Sequence, residues 1–137
     1  MTECTFCSIV RERSALLVHE TAQTLSFLDH RPLFPGHVLV IPKTHIETVE
    51  ELPSDEIAPF FAVVQHMSRA VRSAVDAPGS FIATNTHVSQ SVPHLHVHVV
   101  PRRPQDGLRG FFWPRLSYDD ADHAETVRAA IAAAMDR

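Results

Sequence analysis

The sequence predicts an α+β domain in which a mostly antiparallel sheet of about five strands packs against one long helix, with a second helix at the C-terminus. Short β-branched and apolar runs alternate with loops that contain proline or glycine, which is typical of strands. Residues 54–75 instead place apolar side chains at helical spacing. The order helix, strands, long helix, strands, helix indicates the α+β class.

The N-terminal third supplies the first helix and three strands. Residues 6–13 predict a short helix, and residues 16–20 and 25–29 predict two short strands with a polar connection. Residues 31–36 contain two prolines and a glycine, which predicts a loop. Residues 37–41 read H-V-L-V-I and predict a buried strand that ends at Pro42. Residues 47–52 predict one helical turn.

The long helix is predicted over residues 54–75. Ser54 is the expected N-cap, because its hydroxyl can accept a hydrogen bond from the first turn. Asp55 and Glu56 suit the positive end of the helix dipole. Pro59 removes one backbone hydrogen bond. The predicted apolar stripe consists of Ile57, Phe60, Phe61, Val64, Met67, Val71 and Val75.

The C-terminal half continues with two strands and a helix. Residues 80–85 predict a strand, residues 86–92 a loop, and residues 93–101 a strand with proline at both ends. Residues 102–115 are irregular, and the alanine-rich segment after residue 117 is helical by propensity. We therefore expect one domain over residues 1–116, with residues 117–137 as a helical extension packed on the same domain.

Composition excludes several classes of protein. Hydrophobic residues make up 45% of the chain and charged residues 20%, as in ordinary globular domains. No apolar run is long enough to span a bilayer, and the N-terminus lacks the features of a signal peptide. A cytoplasmic location is expected by default. The net charge of -4 argues against a general nucleic-acid-binding protein, so neither a nucleic-acid nor a membrane partner is expected.

Three histidines alternate with apolar residues between Pro93 and Pro101. Alternation in a strand turns the apolar residues toward a core and lines up the histidines on the opposite face, about 7 Å apart; these are His94, His96 and His98. Such a row indicates anion binding, metal ligation, or proton and phosphoryl chemistry. The alternative is a polar strand face on which three histidines occur by chance. All three rings converge poorly on one ion, because neighbours on a flat strand point in parallel.

The only cysteines, Cys4 and Cys7, form a C-x-x-C motif. One close pair in a reducing compartment does not indicate a disulfide scaffold. The motif is half of many zinc sites and is also a redox motif. The redox motif usually begins a helix after a strand, and the three residues before Cys4 do not predict such a strand.

The H-L-H-V-H-V-V run resembles the signature of the histidine triad family. The block P-G-H-V-L-V-I-P-K-T-H at residues 35–45 and the preceding Asp29 are also similar to that family, so that the resemblance covers residues 4–103. It implies a HIT-like fold and a nucleotide substrate. His96 is then the expected nucleophile, His98 the phosphate contact, and His37 a fourth histidine that orients them. Ser91 corresponds to a contact with the phosphate or the leaving group.

Further substrate contacts follow from the same resemblance. Asp29 corresponds to the acceptor of a ribose hydroxyl, and Asn85 and Gln90 to polar contacts with ribose or phosphate. The loop before the triad departs from the family pattern, which usually carries glycines, since His87 and Ser89 stand where small residues are common. Glycine allows close approach of the backbone to a phosphate, so this departure bears on substrate choice.

Bacterial-type members of the family pair an N-terminal C-x-x-C with two histidines to bind zinc. All four ligands are present here as Cys4, Cys7, His45 and His94. Two thiolates and two imidazoles are typical of closed, structural zinc sites. We therefore expect structural zinc, whose removal would lower stability before it affected chemistry.

The resemblance implies a nucleotide hydrolase that cleaves nucleotide conjugates such as nucleoside phosphoramidates through a nucleotidyl-histidine intermediate. Within the family, a dinucleoside polyphosphate hydrolase and a nucleotidyltransferase remain alternatives. A non-catalytic module that binds a nucleotide or a protein partner is a third. The resemblance also implies a homodimer, with Trp113 and Arg115 as candidates to reach the partner's pocket or to pack in the dimer.

Overall fold

The computed structural model describes residues 3–109 and 114–136. Within these residues, five strands form one sheet in the order β1-β2-β3-β5-β4, and each neighbouring pair is antiparallel. The predicted α+β class and antiparallel sheet are therefore confirmed. The elements in chain order are α1 (Thr5–Glu12), β1 (Leu17–Glu20), β2 (Thr24–Leu28), β3 (Val38–Pro42), a 3-10 turn (Val49–Glu51), α2 (Ser54–Ala74), β4 (Gly79–Ala83), β5 (Val97–Arg102) and α3 (Ala121–Met135).

Both faces of the sheet are covered, but by different helices. Alternation along the strands turns one set of side chains toward α2 and the other set toward α1. The cluster on the α2 side contains Val38, Val40, Leu95, Val97, Val99, Phe60, Val64, Met67 and Val71. The cluster on the α1 side contains Phe6, Leu25, Phe27, Leu39 and Ile41. The histidines of the triad share this second face, and His94 and His96 pack against Phe6 of α1 instead of forming an open polar surface.

Helix α2 differs from its prediction at the N-terminus and in the width of its buried face. Pro53, in an extended conformation, is the N-cap, and Ser54 is already the first helical residue. No side chain caps this end, so the prediction of Ser54 as N-cap was wrong. Ile57 and Phe61 are 45% and 37% exposed. The predicted stripe is therefore wider than the face that packs on the sheet.

Strand β5 begins at Val97, four residues later than predicted. The segment before it is held by other backbone bonds: the N–H of His94 donates to Val92 at 2.8 Å, and that of Leu95 donates to the carbonyl of Ile46 at 2.7 Å. These bonds take the place of a ladder with a neighbouring strand. As a result, His94 and His96 lie in an irregular segment, and only His98 lies in a strand.

The chain divides into two compact units, Met1–Asp106 and Gly107–Arg137. The second contains α3, whose N-cap Asp120 accepts a hydrogen bond from the N–H of His123 at 2.7 Å. An ion pair between Glu125 and Arg128 spans one turn of this helix. Packing of the C-terminal helix on the first domain stays a prediction. Among the described residues, the helices are too short or too polar to cross a bilayer.

Candidate active site and metal centre

The histidines of the triad occupy three different environments. His94 and His96 are 0% and 3% exposed, whereas His98 is partly exposed and pairs with Leu39 of β3. Their rings make hydrogen bonds to fixed partners. A backbone carbonyl only accepts and a backbone N–H only donates, so the partners determine which ring nitrogen carries the proton.

His94 belongs to a group of four metal-ligating side chains. It donates its Nε2–H to the carbonyl of Pro42 at 2.8 Å, which leaves a lone pair on Nδ1. That Nδ1 lies 3.4 Å from the Sγ of Cys4 and 3.6 Å from the Sγ of Cys7. The Sγ of Cys7 also lies 3.3 Å from the Nδ1 of His45. The four predicted ligands therefore lie together, with their donor atoms within 4.8 Å of one another.

These distances fit a tetrahedral zinc ion. Zinc bonds of about 2.3 Å to sulfur and about 2.0–2.1 Å to nitrogen place the two ligand atoms about 3.6 Å apart, close to the measured S···N distances of 3.3, 3.4 and 3.6 Å. The Pro42 carbonyl on the second nitrogen of His94 is the usual support for a metal-bound imidazole. The residues present can therefore hold zinc through two thiolates and two imidazoles.

The start of α1 brings the two cysteines together. Cys4 is the N-cap of this helix, and its Sγ accepts a hydrogen bond from the N–H of Cys7 at 3.4 Å. Burial, followed by the neighbouring Cys4, raises the pKa of the Cys7 thiol. Because the thiolate is the metal ligand, metal binding would displace this proton.

The ring of His96 is held from two sides. Its Nδ1–H donates to the backbone carbonyl of His94 at 2.8 Å, which leaves the lone pair on Nε2. The ring of Phe6 packs edge-on against it, with ring centroids 5.0 Å apart. His96 is 97% buried but lines a cavity. A bare imidazole nitrogen at a cavity wall has the chemistry of a nucleophile.

His98 carries its proton on the other nitrogen, because a chain of hydrogen bonds runs to it from the backbone. The N–H of Leu33 donates to the Nδ1 of His37 at 3.1 Å, so His37 carries its proton on Nε2. This Nε2 lies 2.9 Å from the Nδ1 of His98 and donates to it. His98 is therefore left with an Nε2–H, a donor suited to a phosphoryl oxygen.

His37 and His98 both favour the neutral form. The pKa of His98 is lowered to about 4, mainly by burial and in part by the neighbouring His96 and His37, against an opposing effect of Asp29. Burial also lowers the pKa of His37, again opposed by Asp29. At neutral pH both rings are therefore uncharged, and the direction of their hydrogen bonds is preserved.

Asp29, His37 and His98 also place donor atoms within 4.8 Å of one another, as a metal site would require. A metal would need a bare Nε2 on His37, and hence a proton on its Nδ1. The N–H of Leu33 already points at that Nδ1. The Leu33 N–H and an Nδ1–H of His37 would then face each other as two donors. The backbone therefore favours the hydrogen-bond chain from Leu33 to His98 over a second metal site.

A cavity of about 580 Å³ lies beside these histidines. One wall is apolar and is formed by α1 and the adjoining strands, including Phe6, Ile9, Phe27, Leu28 and Leu39. The polar residues predicted from the sequence that line it are Asp29, Ser91, His96 and His98. An apolar wall facing a few polar groups is the usual form of a small-molecule site.

Asn85 and Gln90 make their contacts within the loop that precedes the triad. The side-chain amide of Asn85 donates to the carbonyl of Ser89 at 3.1 Å. Gln90 accepts from the N–H of His87 at 3.0 Å and donates to the carbonyl of Glu47 at 2.5 Å. His87 and Ser89 have φ values of 68° and 60°. The two amides therefore brace a loop that holds non-glycine residues in the left-handed region.

Sequence reasoning missed the apolar wall and the backbone groups that set the tautomers. The wall residues Phe6, Ile9 and Phe27 carry only an ordinary core signal, because helical or strand periodicity does not distinguish a core from a ligand pocket. The carbonyl of Pro42 and the N–H of Leu33 carry no side-chain signal at all. Of the two residues predicted to reach a partner's pocket, Trp113 lies outside the described residues, and Arg115 is exposed.

Comparison with known proteins identifies the family. The HIT domain family matches residues 10–105. An uncharacterized HIT-like protein of Saccharolobus solfataricus is 41% identical over 93% of this chain and 94% of its own length. The adenosine 5′-monophosphoramidase HNT1 of Candida albicans is 30% identical over 85% of this chain and 81% of its own. The adenylylsulfatase HINT3 of Arabidopsis thaliana is 35% identical over 77% and 55%, respectively.

Solved structures agree with this result. A HIT family protein of Bacillus subtilis superposes with a TM-score of 0.85 at 31% identity, over 96% of each chain. A zinc-bound histidine triad family protein of Mycobacterium smegmatis has a TM-score of 0.72 at 38% identity, over 98% of this chain and 96% of its own. The fold, the spacing of the histidines and the matched region thus lead to one conclusion: the chain belongs to the HIT family.

Proposed function

We propose that this protein hydrolyses nucleotide conjugates at the α-phosphate, with nucleoside phosphoramidates as the model substrate, and releases a nucleoside monophosphate. The observation that carries the proposal is the pair of opposite tautomers on one cavity wall. His96 offers a bare Nε2, and His98 offers an Nε2–H. Two relatives carry the names adenosine 5′-monophosphoramidase and adenylylsulfatase, which supports this substrate class.

The substrate would bind with its base on the apolar wall near Phe6 and Phe27. Asp29 would accept a ribose hydroxyl, since its carboxylate lines the same cavity. Ser91 would contact the phosphate or the leaving group. Asn85 and Gln90, predicted to contact the substrate, enter the proposal through the loop that they brace before Ser91.

The reaction would proceed in two displacements. The Nε2 of His96 attacks phosphorus, the bond to the leaving group breaks, and the leaving group departs with the electron pair and a proton from solvent or Ser91. The N–H of His98 donates to a non-bridging phosphoryl oxygen as negative charge develops. Water then attacks phosphorus and gives up a proton to solvent or to Ser91, and the bond to His96 breaks with its electron pair on Nε2, which restores the imidazole and yields the monophosphate. His37 holds His98 in the required tautomer.

A substrate panel tests the proposal. It contains adenosine and guanosine phosphoramidates, dinucleoside polyphosphates and adenylyl sulfate, and release of monophosphate is measured. Preference for a polyphosphate would favour a dinucleoside polyphosphate hydrolase, and transfer to an added acceptor would favour a nucleotidyltransferase. His96→Ala is expected to abolish turnover while nucleotide monophosphate still binds. Full activity of that variant would refute the proposed mechanism, and binding without any turnover of the panel would favour a non-catalytic module.

We propose zinc as the metal of the group Cys4, Cys7, His45 and His94. The S···N distances support it, as does the zinc in the related structure from M. smegmatis. When bound, zinc would hold the N-terminal segment to the two loops that carry the histidines. We expect about one zinc per chain by metal analysis of the purified protein and clear loss of zinc in a Cys4→Ser, Cys7→Ser double variant.

We also propose a homodimer formed through β4 and α2. Strand β4 lies at the edge of the described sheet, and the partly exposed Ile82 and Phe61 line one surface depression with Val64. A strand at the edge of a sheet beside exposed apolar side chains favours association with a second copy. Light scattering should give a dimer mass, and Ile82→Asp should convert it to a monomer. A wild-type monomer at micromolar concentration would contradict this proposal.

A further inference from the structure

The two cysteines of the metal group flank a residue of the active-site cavity. In the sequence C-T-F-C, Phe6 lies between Cys4 and Cys7. All three belong to the first turn of α1 or its N-cap. Any metal that fixes both thiols therefore fixes the backbone of Phe6 as well.

Phe6 connects the metal group to the proposed nucleophile through direct ring contacts. Its ring is 7% exposed and lies edge-on to His96, with centroids 5.0 Å apart and an interplanar angle of 82°. It also contacts the ring of His94, at 5.9 Å, and the ring of Phe27, at 5.5 Å. Edge-to-face contacts of this kind prefer a defined orientation. Phe6 therefore restricts the rotation of the His96 imidazole.

A second connection runs through the backbone. The proton on Nδ1 of His96 is held by the carbonyl of His94, a residue of the metal group. His94 is in turn held by Pro42 through its Nε2–H. Both restraints described for the His96 ring thus come from a metal ligand or from the residue between two metal ligands.

We propose that the metal group positions the nucleophile, with Phe6 as the positioning residue between them. The inference rests on the proposed hydrolase function and on metal binding at the Cys2His2 group. The metal takes no part in bond making; its ligands fix the face of the His96 ring and the tautomer that leaves Nε2 bare. Loss of the metal should release the first turn of α1, and with it Phe6 and the neighbouring wall residue Ile9.

Because α1 and α2 pack on opposite faces of the sheet, a loss of positioning at His96 can be distinguished from unfolding. The core between α2 and the sheet includes Phe60 and Val97 and lies on the face opposite to α1. It does not include the metal ligands. In contrast to the expectation from the sequence, metal-free protein should therefore keep this core while the His96 ring gains freedom.

The test compares Phe6→Leu with Phe60→Leu in the metal-loaded protein. Both replace a buried aromatic ring with the same smaller side chain, but only Phe6 contacts the His96 ring. Phe6→Leu is expected to lower kcat by about 10- to 100-fold, as a small displacement of a reacting group would. Phe60→Leu should lose stability with little change in kcat. Phe6→Tyr, which keeps a ring, should recover most of the activity.

Two readouts do not depend on turnover. Long-range 1H–15N spectra at one fixed pH report which nitrogen of His96 carries the proton. We expect a single tautomer in the metal-loaded wild type and exchange between tautomers in Phe6→Leu and in chelator-treated protein. Calorimetry with a nucleoside monophosphate should show weaker binding in chelator-treated protein, because the wall formed by α1 is released.

The possible outcomes separate the inference from the function on which it rests. If Phe6→Leu keeps the wild-type kcat and the His96 tautomer, or if Phe60→Leu lowers kcat equally, the positioning role is refuted while the hydrolase stands. If no nucleotide conjugate is hydrolysed, the function fails. The spectra of His96 then still decide whether the metal group fixes the ring. If chelation unfolds the protein, the metal-loaded variants alone decide.

Discussion

Replacing His37 with phenylalanine tests the hydrogen-bond chain that leads from Leu33 to His98. The substitution keeps an aromatic ring at a site that is 3% exposed. It removes the acceptor of the Leu33 N–H and the donor to the Nδ1 of His98. His98 is then free to move its proton to Nδ1 and to present a lone pair, instead of a donor, to the phosphate.

The expected magnitudes follow from these two bonds. A hydrogen bond contributes about 0.5–1.5 kcal/mol net, and a buried group left without a partner costs about 1–3 kcal/mol. Burial of the larger apolar ring offsets part of this loss, so the free energy of unfolding should fall by about 1–3 kcal/mol. If His98 loses about 1–3 kcal/mol of transition-state stabilisation, kcat should fall by about 5- to 150-fold.

Urea denaturation measures the first effect and release of nucleoside monophosphate measures the second. His37→Gln is the matched variant, because its amide retains a donor for His98, and it should lose less activity. His19→Phe makes the same change at an exposed histidine of β1 and controls for added apolar surface. Wild-type kcat in His37→Phe would show that the hydrogen-bond chain from Leu33 does not determine the tautomer of His98.

Three further predictions concern pH and backbone conformation. The folded-state pKa of His98 is about 4, below the unfolded value of about 6.5. The contribution of neutral His98 to the free energy of unfolding should therefore be fully present above pH 6.5. It should fall toward pH 4 by at most about 1.4 kcal/mol per pH unit. A urea midpoint that stays flat between pH 7 and 4.5 would contradict this. Gly36→Ala should lower the free energy of unfolding by about 1–3 kcal/mol, because φ is 102° and the new Cβ would lie 3.2 Å from Val75 and 3.3 Å from Pro101; thermal unfolding checks it. Ser89→Gly should raise the unfolding free energy by up to about 1 kcal/mol, because Ser89 has a φ of 60°; an unchanged or lower melting temperature would count against strain there.

Periodicity was sufficient to predict the elements of the fold but not all of their boundaries. The strand at residues 37–41 and the helix at residues 54–75 lie within one residue of β3 and α2 at each end. The run at residues 94–99 alternates throughout, but its first half forms no ladder. Leu95 bonds to Ile46 instead, a tertiary contact between distant parts of the chain, and side-chain alternation does not encode such a partner.

The site was predictable where side chains carry the chemistry. The four metal ligands expected from the family resemblance lie together in the structure, which brings Cys4 and Cys7 close to His45 and His94. The division of labour proposed for the triad histidines came from the family resemblance. The physical reason for it was not accessible from sequence, because the groups that assign each tautomer belong to the backbone. The apolar wall was missed because a pocket lining and a core have the same periodicity.

The backbone carbonyls of Pro42 and His94 have a consequence for evolution and for design. A main-chain oxygen is present whatever side chain occupies the position, so mutation of the residue does not delete the acceptor. The proton positions on His94 and His96 are thus a property of chain geometry, robust to substitution and sensitive to shifts of the backbone. A designer who copied the three histidines onto another strand would copy the imidazole rings. The hydrogen-bond partners that give each ring its own tautomer would be lost.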